Sequence, residues 1–137
     1  MPGWLAELGR RAVAEACGED SAEARDYRPD TALLNFYDAT ARMGMHQDRD
    51  EFSAAPIVSL SLGDACVFRF GNPQTRAAPY RDVELRSGDL FVFGGPSRYA
   101  FHGVPRILPG TAAPELGMKG GRLNLTLRMT GRAVPGR

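Results

Sequence analysis

Two histidines, one aspartate and two arginines carry most of the chemistry legible in this chain. The tripeptide His46-Gln47-Asp48 places an imidazole and a carboxylate two residues apart, and a second imidazole follows at His102. In an extended strand, residues two apart point to one side, so His46 and Asp48 aim at a common point. Two histidines and one carboxylate are the facial ligand set of non-haem iron(II), which leaves metal positions open for other molecules. Further on, Arg122, Asn124, Thr126 and Arg128 share one strand face, and Leu123, Leu125, Leu127 and Met129 share the other. A core strand with two arginines on one face is costly unless that face holds an anion. Arginine grips a carboxylate with two parallel N–H donors, which lysine cannot do. Two arginines on one face therefore suit a small dicarboxylate, and beside an iron site that points to 2-oxoglutarate. Asn35 and Tyr37 are also two apart and share a face. Zinc competes for the same three ligands. The arginine pair argues against hydrolytic zinc chemistry, because a hydrolase has no use for a dicarboxylate cradle.

These residues must be held by elements that the pattern also predicts. Trp4 to Cys17 reads as an amphipathic helix, with Leu5, Leu8, Ala12 and Ala16 at intervals of three and four, Pro2 at its start and Gly18 at its end. Glu19 to Asp30 is polar and reads as a loop. Strands are predicted over Ala32–Tyr37, Met43–Asp48, Pro56–Leu62, Ala65–Phe70, Arg81–Arg86, Leu90–Phe93, Tyr99–Val104 and Arg122–Thr130. Gly63-Asp64 is a hairpin signal, Ser87-Gly88-Asp89 a turn, and Leu108 to Gly121, rich in Pro and Gly, a flexible loop. Many short strands with few helices imply a mainly β sandwich or double-sheet barrel.

A length of 137 residues implies one domain. Hydrophobic content of 43% and charged content of 24% are ordinary for a chain that builds a core. The formal net charge is +1, so no global polycation draws nucleic acid. From Lys119 to Arg137 there are basic residues and no acidic ones, a locally positive end suited either to solvent or to phosphate. Cys17 and Cys66 do not fit zinc or redox spacings and are expected to be reduced and semi-buried. No apolar stretch approaches a membrane span and no secretory signal pattern opens the chain. The expectation is a cytoplasmic monomer with no membrane partner.

The residue blocks in order are Leu34-Asn35-Phe36-Tyr37, Met45-His46-Gln47-Asp48-Arg49-Asp50-Glu51, Ala55-Pro56-Ile57-Val58-Ser59-Leu60-Ser61-Leu62-Gly63, Ser87-Gly88-Asp89, Gly94-Gly95-Pro96-Ser97-Arg98, Phe101-His102-Gly103-Val104 and Gly121-Arg122-Leu123-Asn124-Leu125-Thr126-Leu127-Arg128. In these blocks, over roughly residues 28 to 130, the chain resembles the AlkB family of Fe(II)/2-oxoglutarate dioxygenases, which repair alkylated nucleobases. The resemblance implies a double-stranded β-helix, the jelly-roll variant, with an N-terminal helix over residues 4–17 and a basic tail over 131–137. It implies Fe(II) on His46, Asp48 and His102, with 2-oxoglutarate and dioxygen as co-substrates. Arg122 would take the distal carboxylate with Asn35 and Tyr37, and Asn124 and Arg128 would lie near the carboxylate that chelates iron. Asp50 would contact the exocyclic amine of the base, and Arg76 the base or nucleic acid. The implied reaction is oxidative demethylation of single-stranded alkylated DNA or RNA, releasing succinate, carbon dioxide and formaldehyde. A carboxylate at Asp50 suits the positive charge of 1-methyladenine or 3-methylcytosine. Two departures accompany the likeness. Family members carry a nucleotide-recognition lid ahead of this region, most of which is not expected here, and Phe93 stands where some members have tryptophan. Two rival readings follow: the same chemistry on tRNA or a protein side chain, and a lidless, non-catalytic binding module.

Overall fold

The computed structural model describes residues 1–49 and 53–131. Two helices come first, α1 (Gly3–Cys17) and α2 (Ala22–Asp26). Eight strands follow: β1 (Thr31–Tyr37), β2 (Met43–His46), β3 (Ile57–Gly63), β4 (Ala65–Phe70), β5 (Arg81–Leu85), β6 (Leu90–Phe93), β7 (His102–Leu108) and β8 (Arg122–Arg128). They form two four-stranded sheets, ordered β1-β8-β3-β6 and β2-β7-β4-β5, with every pair antiparallel. This is the expected double-stranded β-helix with an N-terminal helix.

The helix α1 forms where the apolar spacing predicts it, and Gly18 ends it with φ at 99°. Leu5, Ala12 and Val13 are buried with Tyr27, Val58 and Leu127 in a core between the helix and the outer face of the first sheet. The leucine face of β8 is thus the one that packs under α1. Gly9 allows the close approach, since a Cβ there would lie 2.9 Å from Leu127 Cδ1. A second core of Tyr37, Cys66, Phe68, Leu85, Val104 and Ile107 fills one end of the space between the sheets.

Several expectations are corrected. Gly63-Asp64 does not close a hairpin, and the Ser87-Gly88-Asp89 turn, which forms as expected, joins two sheets. At the first, the chain passes from the β3 sheet to the β4 sheet, and at the second from the β5 sheet to the β6 sheet. These two corners lie together: Gly63 N–H donates to Ser87 Oγ at 3.1 Å, and Gly88 N–H to Ser61 O at 2.7 Å. The segment read as loop after Gly18 contains α2, because Ser21 Oγ accepts from Ala24 N–H and caps it. The strand predicted over Tyr99–Val104 is displaced, and β7 runs from His102 through Pro105 to Leu108. The partner β2 pairs only as far as Val104, and the β4 ladder is irregular opposite Pro105, the kind of bulge or edge position where a strand tolerates proline. The loop Leu108 to Gly121 is tied down by Asp64, as described below. The cysteines are free but not semi-buried alike: Cys17 is exposed and Cys66 buried.

Candidate metal centre and dicarboxylate cradle

Register brings the two distant histidines together. The pairing of β2 with β7 sets His46 directly opposite His102. Their rings lie 4.4 Å apart between centroids. Asp48 stands just beyond the end of β2, with His102 Nε2 3.2 Å from its Oδ2 and His46 Nε2 3.7 Å from its Oδ1. One ligand atom from each residue lies within 4.8 Å of the others.

Each histidine is oriented by the carbonyl two residues before it. His46 Nδ1 lies 2.9 Å from Gly44 O, and His102 Nδ1 lies 3.0 Å from Ala100 O. A carbonyl only accepts, so each Nδ1 carries a proton and donates it, and each Nε2 turns toward Asp48. Fixing one ring nitrogen on a carbonyl is how metal-binding histidines are commonly held. Burial acts against the Asp48 charge, but the His102 hydrogen bond and the charges of Arg128, His102 and His46 outweigh it. Its pKa is lowered to about 2. The carboxylate is therefore ionised at neutral pH, which a metal ligand requires.

The first sheet supplies the facing wall. Its inner face carries matched polar rows: Tyr37 and Gly63 flank Arg122, Asn35 and Ser61 flank Asn124, and Leu33 and Ser59 flank Thr126. Of these, Asn35, Tyr37, Ser59, Arg122, Asn124 and Thr126 line one cavity with His46, Asp48, His102, Met43, Phe68 and Phe93. Arg122 is 2% exposed. Its Nη2 donates to Ser61 Oγ at 3.0 Å and its guanidinium sits 5.2 Å from the Tyr37 ring. Its Nε has no hydrogen-bond partner. Among the described residues no carboxylate pairs with it. A buried guanidinium with an unused donor fits an anionic partner from outside the chain. Burial raises the Tyr37 pKa against the opposing pull of Arg122, so its phenol stays protonated as a donor.

The other predicted residues fall as follows. Asn35 lines the cavity opposite Asn124. Asn124 Nδ2 donates to Ser59 Oγ and Leu60 O, and its Oδ1 accepts from Thr126 Oγ1. Asn124 thus braces the wall of the cradle with its own side chain. Arg128 reaches the metal end, with Nη2 3.4 Å from Asp48 Oδ1. Arg76 does not line the cavity. It donates from Nε to Met45 O at 3.2 Å, one residue before His46, and sits 5.4 Å from the Phe101 ring. Asp50 lies outside the described residues. Phe93 is buried, 4.9 Å from the His102 ring, and fills its place as an apolar packing residue.

Three contributors went unread in the sequence. Ser59 and Ser61 alternate along β3 and give oxygen atoms to Asn124 and Arg122; their spacing of two was the signal. Gln47, between two metal ligands, donates to Pro73 O at 3.1 Å and Tyr99 O at 2.7 Å, fastening β2 to loops on both sides. Nothing in its spacing marked that role.

Comparison with known proteins agrees with this geometry. Residues 1–128 match the family model of the 2OG-Fe(II) oxygenase superfamily. An alpha-ketoglutarate-dependent dioxygenase AlkB homolog of Caulobacter vibrioides is 54% identical over 101 residues, which are 73% of this chain and 44% of that protein. The DNA N(6)-methyladenine demethylase ALKBH1D of Arabidopsis thaliana is 44% identical over 115 residues, covering 73% of this chain and 24% of that protein. The chain thus spans less than half the length of these curated relatives. The solved structure of OsALKBH1 superposes with a TM-score of 0.82 at 36% identity, over 94% of this chain and 66% of that one. With its fold, its facial ligand set and its polar cradle, the chain belongs to the 2OG-Fe(II) oxygenase superfamily and, within it, to the AlkB family.

Proposed function

We propose that this chain is the catalytic core of an iron(II)- and 2-oxoglutarate-dependent dioxygenase that demethylates N-alkylated nucleobases in DNA or RNA. The observation that carries the reading is Arg122: a buried guanidinium with no counter-ion among the described residues, on the wall opposite two histidines and an aspartate. His46, Asp48 and His102 hold the metal through Nε2, a carboxylate oxygen and Nε2. Arg122, with the Tyr37 phenol and Asn35 beside it, takes the distal carboxylate of 2-oxoglutarate. Arg128 stands at the metal end, its Nη2 3.4 Å from Asp48 Oδ1, and faces the other carboxylate. When bound, iron, 2-oxoglutarate and dioxygen supply the two-electron oxidation of an N-methyl group, and the hydroxymethyl product loses formaldehyde.

The base must leave its stack to reach this cavity, so a single-stranded or flipped nucleotide is the expected substrate. His46, with a side chain 38% exposed, is the ligand that offers a ring face to it. We assign Asp50 to the exocyclic amine and Arg76 to the nucleic acid beside the mouth. A carboxylate at Asp50 favours cationic 1-methyladenine and 3-methylcytosine. The Arabidopsis relative is a DNA N(6)-methyladenine demethylase by name, which makes N6-methyladenine, a neutral base, the competing substrate. Among the described residues no helix is long and apolar enough to cross a membrane. A cytoplasmic monomer remains our working description of the protein.

The test is formaldehyde release from oligonucleotides carrying each of these bases, with methylated tRNA and a methylated peptide alongside. The reading expects the cationic bases to lead. Preference for a peptide, or 2-oxoglutarate binding without succinate from any substrate, replaces it with one of its rivals. Asp50→Ala should lower demethylation more than it lowers substrate-free succinate formation. Equal losses in both assays would make Asp50 structural.

A further inference from the structure

Asp64 sits at the corner where the chain leaves the β3 sheet and enters β4. It is 2% exposed. Its Oδ1 accepts from the N–H groups of Thr111 and Ala112 at 3.1 and 3.0 Å, and its Oδ2 from Gly121 N–H at 2.9 Å. Its own N–H donates to Gly121 O at 2.8 Å. One residue therefore holds both backbone groups of Gly121 and, through Thr111 and Ala112, the far end of the loop that leads to it. Among the described residues, backbone amides and not a cation satisfy this buried carboxyl group.

Gly121 immediately precedes Arg122. Gly120 and Gly121 both have positive φ, at 155° and 85°. Glycine is the residue with most backbone freedom to lose, so two in succession leave the start of β8 poorly fixed from within. No stiffer residue can take the second place, because a Cβ on Gly121 would lie 2.5 Å from Phe36 Cζ and 2.9 Å from Tyr37 O. Arg122 itself pairs with Tyr37 and Gly63 in the ladder, and Asp64 ties down the glycine just before it.

We propose that Asp64 is a positioning residue for co-substrate binding: its carboxylate clasps Gly121 and so fixes how Arg122 presents its guanidinium to the dicarboxylate. The proposal rests on the reading of Arg122 as the dicarboxylate partner. Asparagine at this site keeps one acceptor oxygen and turns an NH2 group toward an amide, so it cannot hold both arms of the clasp.

The experiment is a calorimetric titration of 2-oxoglutarate into the full chain loaded with redox-inert Mn(II). The proteins are wild type, Asp64→Asn, Arg122→Ala, the double variant and Thr111→Val. Each is measured well below its melting temperature. Asp64→Asn should weaken 2-oxoglutarate by about ten-fold, equivalent to about 1.4 kcal/mol, and leave Mn(II) affinity unchanged. In the Arg122→Ala background it should cause no further loss, because groups acting through one another are not additive. Thr111→Val removes the hydroxyl that accepts from Ala65 N–H and donates to Leu108 O. It should lower the melting temperature without moving 2-oxoglutarate affinity, since the Gly121 clasp is intact. If the Asn variant does not fold, Asp64→Glu keeps the charge one methylene further out, and the same weakening and non-additivity are expected. Wild-type affinity in the Asp64 variants beside a weakened Arg122→Ala overturns the proposal, as does an additive double variant. Wild-type affinity in Arg122→Ala removes the assignment of Arg122 itself and the proposal with it.

Discussion

The two histidines proposed as ligands are aimed before any metal arrives, because their Nδ1 protons are committed to the carbonyls two residues before them. The carboxylate between them is already ionised. Asp48 therefore has no proton to release when a cation enters. With three ligands the loss of any one leaves two, which cannot hold a labile divalent ion. His46→Ala, Asp48→Ala and His102→Ala should each abolish Fe(II)-dependent conversion of 2-oxoglutarate to succinate, and metal analysis after gel filtration should find them empty. Succinate at the wild-type level in any of them would take that residue out of the site. Arg122 belongs to a separate function on the opposite wall. Removing one partner of a desolvated charge pair costs about 2–5 kcal/mol, so Arg122→Ala should weaken 2-oxoglutarate by at least about ten-fold while iron binding changes little. Arg122→Lys should not rescue it, since an ammonium cannot reproduce the planar two-pronged grip.

At the scale of elements, the site depends on β8 staying in register between β1 and β3. Asp64 secures its first residue, and Asp30 secures its last. Asp30 N–H donates to Arg128 O at 2.9 Å, and the Asp30 carboxylate accepts from Thr130 N–H, Thr130 Oγ1 and Gly131 N–H. Burial pushes the Asp30 carboxyl up, but these hydrogen bonds, with one from Thr31, prevail and hold it below its ordinary value. A depressed pKa in the folded state means the clasp contributes above the unfolded pKa and is lost as pH falls through the folded one. Below about pH 4 the wild-type melting temperature should therefore fall more steeply than that of Asp30→Asn, whose amide does not titrate. Parallel curves for the two proteins would show that Asp30 contributes nothing to acid sensitivity. The strands and their inner faces were legible because period-two alternation survives in β1, β3 and β8, so Asn35, Tyr37, Arg122 and Arg128 could be placed on facing positions. The connections were not legible. Gly63-Asp64 and Ser87-Gly88-Asp89 have the composition of a hairpin, and the same residues serve a chain that changes sheets. What distinguishes the two is the partner of the turn, Gly121 for the first and Ser61 for the second, and partners far along the chain leave no local trace. The strand expected at Tyr99–Val104 lies instead at His102–Leu108 for a related reason: it can run through Pro105 where the ladders on either side end or bulge, and that is a fact of pairing.

The whole molecule divides its tasks unevenly between chemistry and recognition. Every residue assigned to iron or 2-oxoglutarate lies between Asn35 and Arg128, in described structure that matches the family model. This chain should accordingly bind both and turn over 2-oxoglutarate slowly by itself. Its grip on a polynucleotide has a narrower basis. The formal net charge is +1, which gives no long-range attraction. Among the described residues that flank the metal ligands, Arg49 and Arg76 supply cations, and both guanidiniums lie over aromatic rings, those of Tyr99 and Phe101. Each phosphate contact on a single strand contributes about −0.7 to the slope of log affinity against log salt, so two predict a slope between about −1 and −2. We expect weak binding of a methylated single strand that fades as salt rises and barely distinguishes it from the unmethylated strand. Coupling should suffer with it, because a base held about 1 Å out of place can cost on the order of 100-fold in rate. Formaldehyde and succinate measured together on one oligonucleotide should then give a ratio well below one, with succinate still forming when the methyl group is absent. A ratio near one, tight lesion-selective binding and a slope steeper than two phosphates allow would mean that these 137 residues carry the full recognition surface. The grip would then have to come from positive groups beyond Arg49 and Arg76, and the basic stretch after Lys119 is the first place to remove charge.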